Sequence, residues 1–225
     1  MNTNLPRLDK TKIQVTCQKV SQFVSLERDR KIGKFKEKEL SLAKSMKQKY
    51  PDHTDVVLQT RDALKYLNMV HASNLVLKDL ELIKTRSMVI EGCVMKRDFE
   101  SLAPMMPYIE DVIFAKNVLN ISAINDFDDM IRKYFGPKVY SQVKDFTRVN
   151  NELKDYSKPA NHNQLIEYME QVKKRHSIDI DLDSLISSKQ EEGDHEEPIN
   201  IGIGEVDFDI NEYMRVIEKI KEIGV

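Results

Sequence analysis

Residues able to do chemistry are scattered through this chain, and none is in the company that chemistry needs. Asp179, Asp181 and Asp183 open like a calcium loop. Position six of that loop is Ser184, where a sharp turn requires Gly, and position twelve is Gln190, where a bidentate Glu is required. A solvated acidic turn is therefore the expected reading. Gly202 and Gly204 lack a third glycine and a strand–turn–helix setting, which excludes a dinucleotide fingerprint. His53, His71, His162, His176 and His195 share no metal-ligand spacing and are expected on the surface or in loops. The sequence holds no phosphate loop, nucleophile elbow or HExxH helix. Asp128 and Asp129 are expected to be solvated on a helix exterior. Cys17 and Cys93 lie too far apart to suggest a disulfide framework and are expected to be small apolar helix residues in a reducing compartment. No catalytic residue, metal or cofactor is expected.

The elements that would carry these residues read as helices. The 225 residues include only seven Gly and seven Pro, too few turn residues for a many-stranded β fold. No segment approaches the ~18 apolar residues of a membrane span, and Met1–Asp9 has no hydrophobic signal core. Residues 9–49 form a first long helix, with Ile13, Cys17, Val20, Val24, Phe35, Leu42 and Met46 on one face. A break at Tyr50-Pro51 precedes an N-cap at Thr54. A second helix follows from about Asp55 to Glu91 with Val57, Leu64, Leu67, Leu75, Leu82 and Val89 apolar, ended by Gly92. Together they make an antiparallel hairpin roughly 55–60 Å long. Three shorter helices follow. The first, Asp98–Leu119, carries Leu102, Met105, Ile109, Val112 and Ile113 and is regular from near Pro107. The second, Ser122–Phe135, carries Ile124, Phe127, Ile131 and Phe135 and stops at Gly136-Pro137. The third, Gln164–His176, carries Leu165, Met169 and Val172 and is capped by Asn161 or Asn163. The expected layout is a flexible start (1–8), a helical domain (9–186), an acidic linker (187–204) and a C-terminal amphipathic helix (205–225).

Charge is polarised along this layout. Residues 7–49 hold thirteen Lys/Arg against five Asp/Glu, a net charge of +8, and residues 177–225 hold four against fourteen, a net charge of −10. The two ends attract each other or address different partners. Lys10, Lys12, Lys19, Arg28, Arg30, Lys31, Lys34, Lys36 and Lys38 make the first helix a candidate basic face for anionic lipid or another subunit; the bland alternative is a solvated surface.

The layout resembles ESCRT-III proteins, and details resemble the Ist (increased sodium tolerance) family, regulators of the vacuolar-protein-sorting AAA ATPase. Leu82-Ile83-Lys84-Thr85-Arg86 is similar to the end of that family's second helix, and Ile113-Phe114-Ala115 to its third. Ile124–Phe135, closing on Arg132-Lys133-Tyr134-Phe135-Gly136, is similar to its fourth helix, and Gln164–Val172 to its fifth. The resemblance covers about residues 9–180. Asn74 and Leu77 depart from a Glu-rich stretch of the family, Lys116 stands where a Pro is usual, and no Pro follows the last of these helices.

The resemblance implies an all-α, non-catalytic assembly protein that polymerises, meets membranes and serves endosomal (multivesicular body) sorting. It implies a cytoplasmic location, peripheral on endosomal membranes. Partners would be other ESCRT-III subunits and MIT-domain proteins including the AAA ATPase, with no nucleic acid. The MIT-binding candidates are Asp209, Tyr213, Arg215, Ile217, Ile220 and Lys221, with Val216 where the usual motif has Arg. A core ESCRT-III filament subunit and a non-polymerising helical adaptor are the alternatives.

Overall fold

The computed structural model describes residues 8–182 and residue 185. These lie in the first of the two units, 1–188 and 189–225, into which the chain divides. The expected acidic linker, the terminal helix and all six MIT-binding candidates lie outside the described residues. Those described are helical, with no strand among them.

Helix α1 spans Lys10–Met46 and starts where the Asp9 carboxylate accepts the Thr11 N–H at 2.7 Å, satisfying one of the donors a helix start leaves open. Ile13, Cys17, Val20, Val24, Phe35, Leu42 and Met46 are all buried. Helix α2 spans His53–Thr85 and packs along α1 as the second arm of the hairpin. Its N-cap is Asp52, which accepts the Thr54 N–H at 2.9 Å, rather than Thr54. Across the turn, the Ser45 hydroxyl bonds Asp55 at 2.6 Å.

The second arm departs from the expected single helix. It breaks at Arg86 (φ −89°, ψ 10°), and α3 continues from Ser87 to Lys96. The Thr85 hydroxyl bonds the Glu81 carbonyl at 2.8 Å just before the break, a back-bond that bends helices. The buried Ser87 accepts from Gln14 Nε2 at 3.0 Å just after it. Gly92 lies inside α3; glycine weakens a helix by about 1 kcal/mol without ending it. The stop comes at Arg97, in the left-handed region at φ 57°.

A 3-10 turn, Ala103–Met105, leads into α4, Met106–Phe114, with Pro107 in its first turn. A break at the buried Ala115 separates α4 from the single turn α5, Lys116–Leu119. Helix α6, Ala123–Val143, is kinked at Gly136, whose φ of 78° and ψ of 165° suit glycine. The kink is bridged by Tyr140, which donates to Asp128 Oδ1 at 2.5 Å and accepts from Arg132 at 3.1 Å. A short α7, Asn151–Tyr156, precedes α8, His162–Arg175. Asn161 and Gln164 form a reciprocal capping box there, both bonds 2.9 Å.

The shorter helices pack on the hairpin at two places. Helices α3 to α7 join the first half of α1 and the second half of α2 around Phe127, Ile109, Ile124 and Leu80. Helix α8 instead contacts both arms near the hairpin turn, where Tyr168 lies against Phe35.

Candidate interaction surface

Among the described residues no group of His, Cys, Asp and Glu could hold a metal, and no helix is long and apolar enough to cross a membrane. Several residues weighed for chemistry are packed into the fold. Cys17 is fully buried, and burial pushes its thiol up to about 12, so it carries no thiolate. His71 stands in α2 rather than a loop, its ring stacked on Tyr156 at 5.4 Å, and burial lowers it to about 4. His176 is half-buried against Glu39. Asp128 is buried beneath Tyr140 instead of solvated, while Asp129 is exposed.

The basic helix is the surface that invites partners, and its nine cations have four different settings. Lys19 pairs with Asp126 of α6 at 2.7 Å, and Lys12 stands over the Tyr134 ring at 5.4 Å. Lys31 and Lys34 lie over Tyr66 of α2 at 5.9 and 5.8 Å. Lys38 pairs with Asp62 at 2.8 Å, and that hydrogen bond raises its ammonium above the ordinary range. Arg28 bonds Asp29 and reaches Asn74, and Arg30 pairs with Glu27 along the helix. Lys10 and Lys36 are exposed with no ion pair among the described residues. The structure therefore does not bring the nine to one face. Those near Tyr66 and Asp62 lean over the second arm.

A second stripe on α1 was not read from the sequence. Val15, Leu26 and Leu40 are 59%, 58% and 53% exposed. At about 100° per residue they fall within about 40° of one another, on the side of α1 opposite its buried stripe. Gly33 lies on the same line, with nothing within 4 Å of a Cβ placed there. Lys12, Lys19, Arg30 and Glu37 run along one flank, and Asp29 and Lys36 along the other. Lys44 and Lys47 are exposed toward the end of the line. The signal was present in the 11, 7 and 7 spacings of residues 15, 26, 33 and 40, but the stronger stripe of the same helix masked it. An apolar ridge with cations beside it can insert shallowly into an interface and attract anionic groups.

No family model matches the sequence, and a search of curated proteins gave no match. Among solved structures, the chain is similar to the N-terminal domain of Saccharomyces cerevisiae Ist1, solved in complex with the Did2 MIM motif. The TM-score is 0.59 at 14% identity, covering 77% of this chain and 95% of that one. This likeness gives the fold: a helical domain folded like that Ist1 N-terminal domain.

Proposed function

We propose that this chain is a non-catalytic, ESCRT-III-like assembly protein of the Ist type that works at anionic membrane surfaces in endosomal sorting. The observation that carries the reading is the outward ridge of α1, with Val15, Leu26 and Leu40 exposed and lysines and arginines beside them. The likeness to the Ist1 domain supports it. In this reading the protein is cytoplasmic and peripheral, and it forms homo- or hetero-polymers with other ESCRT-III subunits. One such subunit would present a MIM motif, as Did2 does in the yeast complex. The tail, through Asp209, Tyr213, Arg215, Ile217, Ile220 and Lys221, recruits MIT-domain proteins including the vacuolar-protein-sorting AAA ATPase.

Sedimentation with phosphatidylserine-containing vesicles tests the surface. Leu26→Asp with Leu40→Asp, and separately Lys36→Glu with Lys44→Glu, are expected to reduce binding. Each close Lys or Arg contributes about 1 kcal/mol near such a surface, fading with salt. Wild-type binding by both double variants at low salt would remove the ridge from the membrane contact. Pull-down of MIT-domain proteins with and without residues 205–225 tests the tail.

A further inference from the structure

Helix α3 carries an exposed apolar face of its own. Met88, Val89 and Met95 are 66%, 49% and 51% exposed. They are three of the nine large apolar side chains left exposed among the described residues, on a helix of only ten. The α1 ridge spreads its three over Val15–Leu40, about 38 Å of helix, whereas α3 gathers its own within Met88–Met95, about 10 Å. At about 100° per residue, Met88, Gly92 and Met95 fall within about 60° of one another, and Val89 borders them. Nothing lies within 4 Å of a Cβ placed at Gly92, so the centre of the face is uncovered. The other side of α3 is held in the fold by the buried Ser87, Ile90 and Cys93. Gln14 Nε2 bonds Ser87 at 3.0 Å, which fixes the start of α3 beside the α1 turn that carries Val15, the first ridge residue.

Charge and area decide what such a face meets. Arg86 precedes it and Lys96 and Arg97 follow it, all three exposed and without an ion pair among the described residues. Lys84, earlier by less than a turn, is paired with Glu81. From Lys84 to Arg97 there are four cations against the single acid Glu91. Beyond them Asp98 accepts from the Ser101 hydroxyl at 2.6 Å, and Glu100 is exposed. Cations at both ends of a short apolar face match anionic headgroups around an inserted patch. Arg and Lys stems reach the headgroups, and unbranched, polarisable methionine adapts to irregular acyl chains. Three side chains fall far short of the ~800 Å² per partner of a stable protein interface. Shallow insertion into lipid needs only a small apolar patch drawn in by charge.

We propose that α3 is a second membrane contact, in which Met88, Val89 and Met95 enter the outer acyl region of an anionic bilayer while Arg86, Lys96 and Arg97 hold its headgroups. This contact depends on the chain working at membrane surfaces, as proposed above, but not on the α1 ridge being the part that touches them.

The sequence has no Trp, so the full chain with Met95→Trp carries a single indole fluorophore. On vesicles of phosphatidylserine and phosphatidylcholine its emission is expected to shift to the blue and to be quenched by brominated acyl chains. Leu40→Trp reports the ridge in the same way. Met88→Gln with Met95→Gln removes the apolar contact without adding charge and is expected to weaken partitioning by about tenfold or more. Wild-type partitioning by that double variant, or no quenching of Met95→Trp on vesicles that the wild-type chain binds, would overturn the α3 contact and leave the membrane reading standing. Quenching of Met95→Trp with none of Leu40→Trp would keep the α3 contact and remove the ridge. No sedimentation of the wild-type chain with the vesicles at low salt would overturn both. A blue shift of Met95→Trp that grows with protein concentration in the absence of vesicles would give the face to a second copy and overturn the lipid contact.

Discussion

The two halves of the hairpin are held by different forces. In the half built from Ile13–Val24, Ala72–Ile83 and helices α3 to α7, burial is many-sided, and Phe127, Ile109 and Ile124 are wholly out of water. In the half near the turn, α8 and the residues just after it, with Ile178 and Leu182 buried, cover the arms, and a single carboxylate does much of the fastening. Glu39 accepts from the Tyr168 hydroxyl at 2.9 Å, Arg175 at 3.1 Å and His176 Nε2 at 3.2 Å. Burial and the neighbouring Glu39 carboxylate raise the Tyr168 hydroxyl, which therefore stays a donor. Between the halves lies Glu27–Lys34, where charged side chains span the arms. A thick apolar core makes a region cooperative. A thin one fastened by a directional polar hub can let go of one helix while the rest stays folded.

The largest expected effect is in the thick half. Phe127→Ala should destabilise the whole domain by about 3–5 kcal/mol, measured by urea unfolding followed by circular dichroism. A cost under 1 kcal/mol would mean that this half is not the cooperative core.

Next is a pH effect confined to the same half. Burial lowers His71 from 6.5 to about 4, so its neutral form favours the folded state. That contribution is complete above pH 6.5 and is lost as pH falls through about 4, amounting to up to about 3 kcal/mol. His71→Phe retains stacking on Tyr156 and should abolish this acid-side loss. Asp79 runs the other way, its contribution complete below 3.8 and lost as pH rises through about 7. Thermal melts of His71→Phe from pH 4 to 7 should then show the trend of the buried acids Asp79, Glu110 and Asp111, a steady fall.

In the thin half, Glu39→Gln keeps shape and loses charge, weakening three hydrogen bonds at a cost of roughly 1.5–3 kcal/mol. The loss should be local, so limited proteolysis should cut first around α8 while the core half stays protected. Equal sensitivity of α4 and α6 would erase the distinction between the halves.

The smallest effect is a gain at the junction. Gly33 is helical with open space around it, so Gly33→Ala should stabilise by about 1 kcal/mol. A loss instead would show that the middle of α1 needs glycine's freedom.

Single-stripe helices were the legible part. Every apolar residue assigned to α1, α6 and α8 is buried, because each turns a dominant apolar face to the rest of the protein and a period of 3.6 records that face directly. In α2 the reading failed in part. Leu64 and Leu67 are buried, but Val57, Leu75 and Leu82 are only partly so and Val89 is 49% exposed, while Val56, Ala63, Val70, Val76 and Leu80 fill the core. Helix α2 is covered by α1 on one side and by α4, α5, α7 and α8 on others, so its apolar positions surround the helix and no single stripe describes them.

The sequence by itself determined the helical class, the sharp turn at Pro51, an interruption at Gly136 and a cap at Asn161 or Asn163, since each depends on one or two residues' own backbone preferences; that α6 resumes past Gly136 and that Asn161 is the cap came from the structure. It also determined that α1 is basic. Tertiary structure alone decided which of those cations face solvent and which lean on Tyr66, Asp62 or Asp126. It alone brought Glu110 to Arg148, Asp111 to Asn150, and Glu39 to Tyr168, Arg175 and His176. These partners are far apart along the chain, and no local rule of spacing or propensity carries the distance between them once it has folded.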